Sequence, residues 1–453
     1  MRKFARRSVA LLVPVSVWAC SGSTEPGKAT PDPTGTGDAS TAGSTVSAAG
    51  AIGSGGALSS GGALSSGGAS SSGGVPSMPG AAGNGVGTAG KPSACMAGSA
   101  LPSTADASGP PETAPAGYGQ NTTGGGNAKA QGVDSMAAVQ AAIDAYSGSG
   151  GLVLSYTGKF DFKSISDPCV QHTLPAQTVE IKNKSDITIS GAAGSAANFG
   201  FHVAASSSNI IIRDMTIGLT PGGDASDIIS VEGMSGGAPK NIWIDHNELF
   251  TSMATCPGAG DTAFDGMIDV KKGADEVTVS YNYLHDHHKV SLNGFTDTDD
   301  AVRHITFHHN LFEHIGSRTP LQRHGFAHVV NNYFLDISAS CVNVRMGGYA
   351  LVEGNYFEQV VNPVTARDSD AIGFWELKDN NLATAADVGP GNCFGITWTK
   401  GSTGTVNATD WTTTAAYPEP LGYTYAAQPF QCIHDGLRAV AGAGKGLATL
   451  KCK

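Results

Sequence analysis

The sequence predicts an all-β solenoid, a parallel β-helix, and three observations carry that expectation. Short runs alternating apolar and polar residues follow one another from Gly151 to about Val360, with almost no helical spacing between them. A residue pair recurs at the ends of these runs: Arg213-Asp214, then His246-Asn247, Tyr281-Asn282, His309-Asn310, Asn331-Asn332 and Gly354-Asn355. The last three pairs are about 22 to 23 residues apart, the length of one coil of stacked strands. A side-chain amide repeated at one coil position can hydrogen-bond the next coil and satisfy an inward-facing turn. A β-sandwich with Gly turns is the competing architecture, and it gives the recurring Asn no purpose.

The N-terminus stands apart from this pattern. Arg2, Lys3, Arg6 and Arg7 form a basic region ahead of the apolar run Val9 to Trp18, as in a secretory signal over residues 1–20. That run is too short for a stable membrane span. Val17-Trp18-Ala19-Cys20 looks like a bacterial lipobox, in which Cys20 would be lipidated and tie the chain to a membrane; ordinary cleavage after a small residue is the alternative. Residues 21–115 are mostly Ser, Gly, Ala, Thr and Pro, with a near-repeat of SSGGAL. Such a stretch buries too little apolar surface to offset chain entropy, so a disordered tether is expected, with Cys95 inside it lacking an evident partner. Residues 116–453 are expected to form the folded domain. Export permits disulfides among Cys169, Cys256, Cys341, Cys393, Cys432 and Cys452, whose connectivity spacing alone leaves open.

Within the domain, Ser135 to Tyr146 has helical spacing at Met136, Val139, Ala142, Ile143 and Tyr146, with Ser135 as N-cap. One short helix capping the open end of the solenoid is expected. Strands follow, including Val277–Tyr281, Ile305–His309 and Ala327–Asn331. After Val360 the repeat fades into loops that would wrap back over the coils.

The net charge of −11 makes a nucleic-acid backbone an unsuitable partner. Three clusters carry chemistry. Asp265 and Asp269 sit in D-G-M-I-D, on one face if the segment is a strand, and Asp227 opens the preceding strand with Asp224 just before it. Stacked together, these carboxylates call for a hard cation, and oxygen-only ligation favours Ca²⁺; solvated strand-end Asp residues are the plainer alternative. Lys289, Arg318 and Arg323 lie one or two coils further on. Cations beside such a site make a cleft suited to a polyuronate, whereas isolated surface salt bridges are the common fate of such residues. The many histidines between His285 and His328 raise the question of zinc, but the helical His-Glu-x-x-His pair is absent and stacked structural roles fit better. A Ser nucleophile elbow, the tight turn from a strand into a helix, is not evident. A two-carboxylate glycosidase stays open, as does a non-catalytic polysaccharide-binding β-helix.

Several segments carry a resemblance: NIWIDHNELF, the Asp265/Asp269 spacing, VTVSYNYLHDHHKVSLNG, HHNLFEHIGSRTPLQRHGFAHVVNNYF, NPVTAR and ATLKCK. They resemble the pectate lyases of polysaccharide lyase family 1, especially the extracellular bacterial type, from about Tyr118 to the C-terminus. The resemblance implies a right-handed parallel β-helix, the pectin-lyase-like solenoid, that cleaves (1→4)-α-D-galacturonan by β-elimination with Ca²⁺. By position, Asp227, Asp265 and Asp269 match the calcium ligands, with Asp224 a further candidate. Lys289 and Arg323 match substrate-binding bases, and Arg318 the proton-abstracting arginine. Asp245 matches a position near the cleft with a structural part to play. Cys169–Cys256 and Cys432–Cys452 match disulfides. Two departures stand out: relatives carry D-x-D where Asp224-Ala225-Ser226-Asp227 stands here, and many have Arg at Leu321. Asp at the calcium positions argues against pectin lyase, which dispenses with the metal; polygalacturonase is the hydrolytic relative on this fold. The implied enzyme is a monomeric secreted or cell-surface lipoprotein acting on polygalacturonate.

Overall fold

The computed structural model describes residues 105–260, 262–382, 392–399, 406–409 and 412–452. Strands wind into stacked coils and form three long sheets of nine, ten and seven strands. Every strand pair within the coils is parallel; Val406–Thr409 closes the nine-stranded sheet antiparallel to Val364–Ser369. The expected right-handed parallel β-helix is therefore the observed architecture.

Parallel pairing in register stacks equivalent residues from coil to coil. Ile187, Ile210, Ile242, Val277 and Ile305 are consecutive register partners, and all are fully buried. Each such side chain contributes roughly 1.5–3 kcal/mol on burial, so the ladder forms a continuous core along the coil axis. On the seven-stranded side Phe312, Phe334 and Phe357 stack with centroids 5.0 and 4.7 Å apart.

The recurring Asn residues do what their period predicts. The backbone N–H of Asn247 donates to Oδ1 of Asn282, that of Asn282 to Asn310, and that of Asn310 to Asn332, at 2.9, 3.0 and 2.9 Å. Asn332, Asn355 and Asn380 continue the ladder. The residue before each Asn is left-handed: His246, Tyr281, His309 and Asn331 have φ between 51 and 54°, and Gly354 has 62°. That turn ends each strand one residue earlier than alternation suggests, at Ser280, His308 and Val330. The first pair is offset by one. Asp214, not Arg213, aligns with the left-handed His246, so Met215 takes the ladder position and its N–H donates to Asn247 Oδ1.

The ends of the solenoid are covered. Helix α1 (Met136–Ala145) begins at Ser135, whose Oγ accepts from Ala138 N, and it buries Val139 and Ile143. Tyr146, expected inside the helix, is its C-cap. Strand Ala105–Gly109 pairs antiparallel with Thr449–Cys452, so ordered structure reaches ahead of residue 116, where the domain was expected to begin. Helix α2 (Phe430–Val440) packs beside this pair. Disulfides join Cys169 to Cys256 and Cys432 to Cys452. Cys393 is also disulfide-bonded, and Cys341 is free and buried. Cys20 and Cys95 lie outside the described residues.

Candidate active site

The chemistry gathers on the outer face of the nine-stranded sheet. Its central strands are Ile229–Glu232, Ile268–Lys271, Leu292–Asn293, Leu321–Arg323 and Val342–Arg345. Asp269 lies on the second of these, so alternation turns it outward. Asp265 precedes that strand in a loop, which corrects the expectation that both share a strand face. Asp227 likewise precedes its strand by two residues. The three still converge: one carboxylate oxygen from each lies within 4.8 Å of the others. Backbone N–H groups help hold them, from Gly266 to Asp227 Oδ1 at 3.1 Å and from Leu292 to Asp269 Oδ1 at 3.0 Å.

Gly266 is required here for space. A Cβ on it would stand 2.2 Å from Asp269 Oδ1 and 3.0 Å from Asp227 Oδ1. Burial and the neighbouring Asp227 charge push Asp265 up to about 6 and hold Asp269 well above the ordinary carboxylate range. Lysines supply partial compensation. Lys271 Nζ lies 2.6 Å from Asp227 Oδ2 and 3.9 Å from Asp269 Oδ2. Lys289 Nζ lies 3.3 Å from Asp265 Oδ1 and pairs closely with Asp224. Among the described residues the converging group is Asp227, Asp265 and Asp269, and Asp224 faces Lys289. Three converging oxygen donors around a glycine cradle fit a hard divalent cation.

The bases flank this cluster. Arg318 follows strand Leu311–Ser317 in a left-handed conformation, φ 64°. Its carbonyl accepts from Ser291 N at 2.8 Å, and its guanidinium forms no ion pair among the described residues. Burial, with the Arg323 charge, holds its pKa below the usual guanidinium value against the opposing pull of Asp269 and Asp265. Arg323 ends its strand and pairs in register with Arg345 on the next coil. Burial, then Arg323 and Arg318, push Arg345 down to about 9.

Lys271 and Arg345 were not singled out from the sequence, although a signal existed for each. Lys271 stands two residues after Asp269, hence on the same strand face, and Arg345 stands one coil repeat after Arg323. Asp245 is not near the cleft. Its strand, Lys240–Asp245, belongs to the ten-stranded sheet, where the buried carboxylate binds Arg213, His246 and Ser280. The histidines are structural or paired. His246, Tyr281 and His309 stack, His328 bonds Glu353 and Tyr423, and His287 bonds Thr251 and the Lys289 carbonyl. Among the described residues the Asp trio is the one metal-competent group.

A family model described as pectate lyase matches residues 93–446. Pectate lyase B of Dickeya chrysanthemi is 44% identical over 307 residues, 66% of this chain and 79% of that protein. Pectate lyase II of Xanthomonas campestris pv. campestris superposes with a TM-score of 0.69 and 51% identity, over 74% of this chain and all of that one. Two structures of pectate lyase C share 38% identity over 75% of this chain and 99% of theirs, with TM-scores of 0.69 and 0.68. One is a mutant in complex with pentagalacturonic acid; the other, from Erwinia chrysanthemi, was determined with Ca²⁺. Matched in sequence over most of its length and in fold over the whole solenoid, the chain belongs to the pectate lyase family of polysaccharide lyases.

Proposed function

We propose that this pectate lyase works by calcium-assisted β-elimination, with Arg318 as the base and Asp227, Asp265 and Asp269 as the ligands of Ca²⁺. The observation that carries this reading is the nearness of the carboxylate trio to the half-buried Arg318, whose guanidinium forms no ion pair among the described residues. The C5 proton of a galacturonate is weakly acidic because the adjacent carboxylate is already negative. Bound Ca²⁺ would neutralise that carboxylate and disperse the charge that develops as the proton leaves. The ammonium of Lys289, now on Asp224 and Asp265, would pair with the same uronate. Arg323 and Arg345 would bind carboxylates along the chain, since a guanidinium fork matches a carboxylate.

Arg318 in its neutral form takes the C5 proton on a guanidine nitrogen. The C5–H electrons form the C4=C5 double bond as the C4–O bond breaks. The departing pair goes to the glycosidic oxygen, which takes a proton from water to become a hydroxyl, and the hydroxide so formed takes up the proton that Arg318 later releases. No water is added across the bond, which separates this reaction from hydrolysis by a polygalacturonase. We read residues 1–20 as an export signal with Cys20 as lipid anchor, residues 21–104 as a tether, and the enzyme as a monomer; residues 1–104 lie outside the described part of the chain.

The mode of cleavage is tested by following ultraviolet absorbance of the unsaturated uronate and new reducing ends together on polygalacturonate. Equal yields of both are expected with Ca²⁺, and neither with excess chelator. Reducing ends without absorbance would mean hydrolysis, and activity untouched by chelator would remove the metal from the reading.

A further inference from the structure

The connection between strands Leu292–Asn293 and His304–His308 spans residues 294–303, longer than the turns on the neighbouring coils. It folds over Arg323 and fixes it at three points. Asp297 Oδ1 accepts from Arg323 Nε at 2.6 Å. The Gly294 carbonyl accepts from Nη1 at 3.1 Å. The fully buried Arg303 donates from Nη1 to the Arg323 carbonyl at 2.8 Å.

The loop is itself held in place. Asp299 pairs with Arg303 at 2.8 Å and accepts from Lys272 N and Phe295 N at 2.9 and 2.8 Å. Asp297 Oδ2 accepts from Ser369 Oγ at 3.1 Å and from Asp370 N, and the Asp297 carbonyl meets His324 Nε2 at 3.0 Å. A carboxylate here is costly to a cleft that receives a polyanion, because it repels each arriving uronate. Its geometry accounts for its presence. With Nε and Nη1 each holding one bond, Nη2 makes none among the described residues, so Nη2 and the second N–H of Nη1 are left as a fork for a ligand, in a fixed plane.

We propose that Asp297 is a positioning residue for substrate binding, holding Arg323 so that its outer fork meets a galacturonate carboxylate. This rests on the reading of Arg323 as a substrate-binding base. Because Arg323 does not take the proton, the effect belongs in KM and not in kcat.

Steady-state elimination kinetics on polygalacturonate with Ca²⁺ test the proposal, using D297A, D297N, R323A and the double variant D297A/R323A, with Tm measured for each. D297A should raise KM about fivefold and leave kcat within about twofold, a loss of fork alignment and not of chemistry. D297N keeps an oxygen acceptor for Nε and should stay within about twofold of the parent KM. In the R323A background, D297A should add nothing. The milder S369A, which frees one Asp297 oxygen, should raise KM about twofold without lowering Tm, and it serves if D297A folds poorly. An unchanged or lowered KM in D297A, with R323A still raising KM, overturns the positioning role alone. The full D297A effect persisting in the R323A background overturns it too. An R323A variant with parental KM overturns instead the reading of Arg323 on which the proposal stands.

Discussion

At the scale of single residues, the arginine base is the demanding element. A guanidinium in water keeps its proton to above about pH 12, so a neutral Arg318 needs an environment that disfavours charge. The site supplies burial and the adjacent Arg323, and these hold its pKa below the ordinary value even with Asp269 and Asp265 nearby. Below that pKa, the neutral fraction grows about tenfold per pH unit. The rate at saturating Ca²⁺ should therefore climb steadily through alkaline pH, and an optimum on the acidic side would count against Arg318. The sequence showed these residues by type, and Asp227, Asp265, Asp269, Lys289, Arg318 and Arg323 lie near one another in the folded chain. It did not show the pairings. That Asp224 would settle on Lys289, and that Lys271 would lean over Asp227, depends on the conformation of the loop ahead of Ile229, which no alternation pattern sets.

At the scale of elements, the Asn ladder gives the coils their register. Asn310 Oδ1 accepts from both N–H groups of Asn282 that face it, and Asn310 Nδ2 donates to Val279 O and Asn332 Oδ1. All three Asn residues are fully buried. Replacing Asn310 by Ala strands the Asn282 N–H away from water, and it should cost about 2–4 kcal/mol in urea unfolding. A loss under about 0.5 kcal/mol, typical of a surface change, would contradict the ladder's role. This ladder was legible because identical side chains at a fixed period need identical surroundings. The one-residue offsets at strand ends were not. They come from left-handed residues such as Tyr281 and His309, which no alternation pattern marks and which bulky side chains rarely adopt.

At the scale of the whole molecule, the two ends of the folded chain meet. The strand from Ala105 and the strand to Cys452 pair, and the segment after the first carries Glu112 against the ten-stranded sheet near Asp245, His246 and Arg213. Glu112 Oε2 is buried without a hydrogen-bond partner among the described residues, and burial, then Asp245, push its pKa up to about 7. A carboxyl whose folded pKa exceeds its unfolded one binds more protons when folded, so its ionisation withdraws stability as pH rises from 4.5 to about 7. Across that window Glu112→Gln should gain on the parent by about 2–3 kcal/mol and hold the gain at alkaline pH, read as Tm against pH. A pH-independent difference would mean that Glu112 does not titrate in that range. Composition hid this closure. The Ser- and Pro-rich run looks like tether up to Pro115, while pairing with a strand more than three hundred residues away decides that Ala105–Gly109 is ordered.

The joining of an acidic trio and a half-buried arginine beside it is tested most directly by Arg318→Ala assayed on polygalacturonate with saturating Ca²⁺. The variant should bind Ca²⁺ and unfold at the parental Tm while producing no unsaturated uronate, a loss of at least about a thousandfold in kcat. Retention of parental elimination by a folded, calcium-bound Arg318→Ala enzyme would place the base elsewhere and contradict the account.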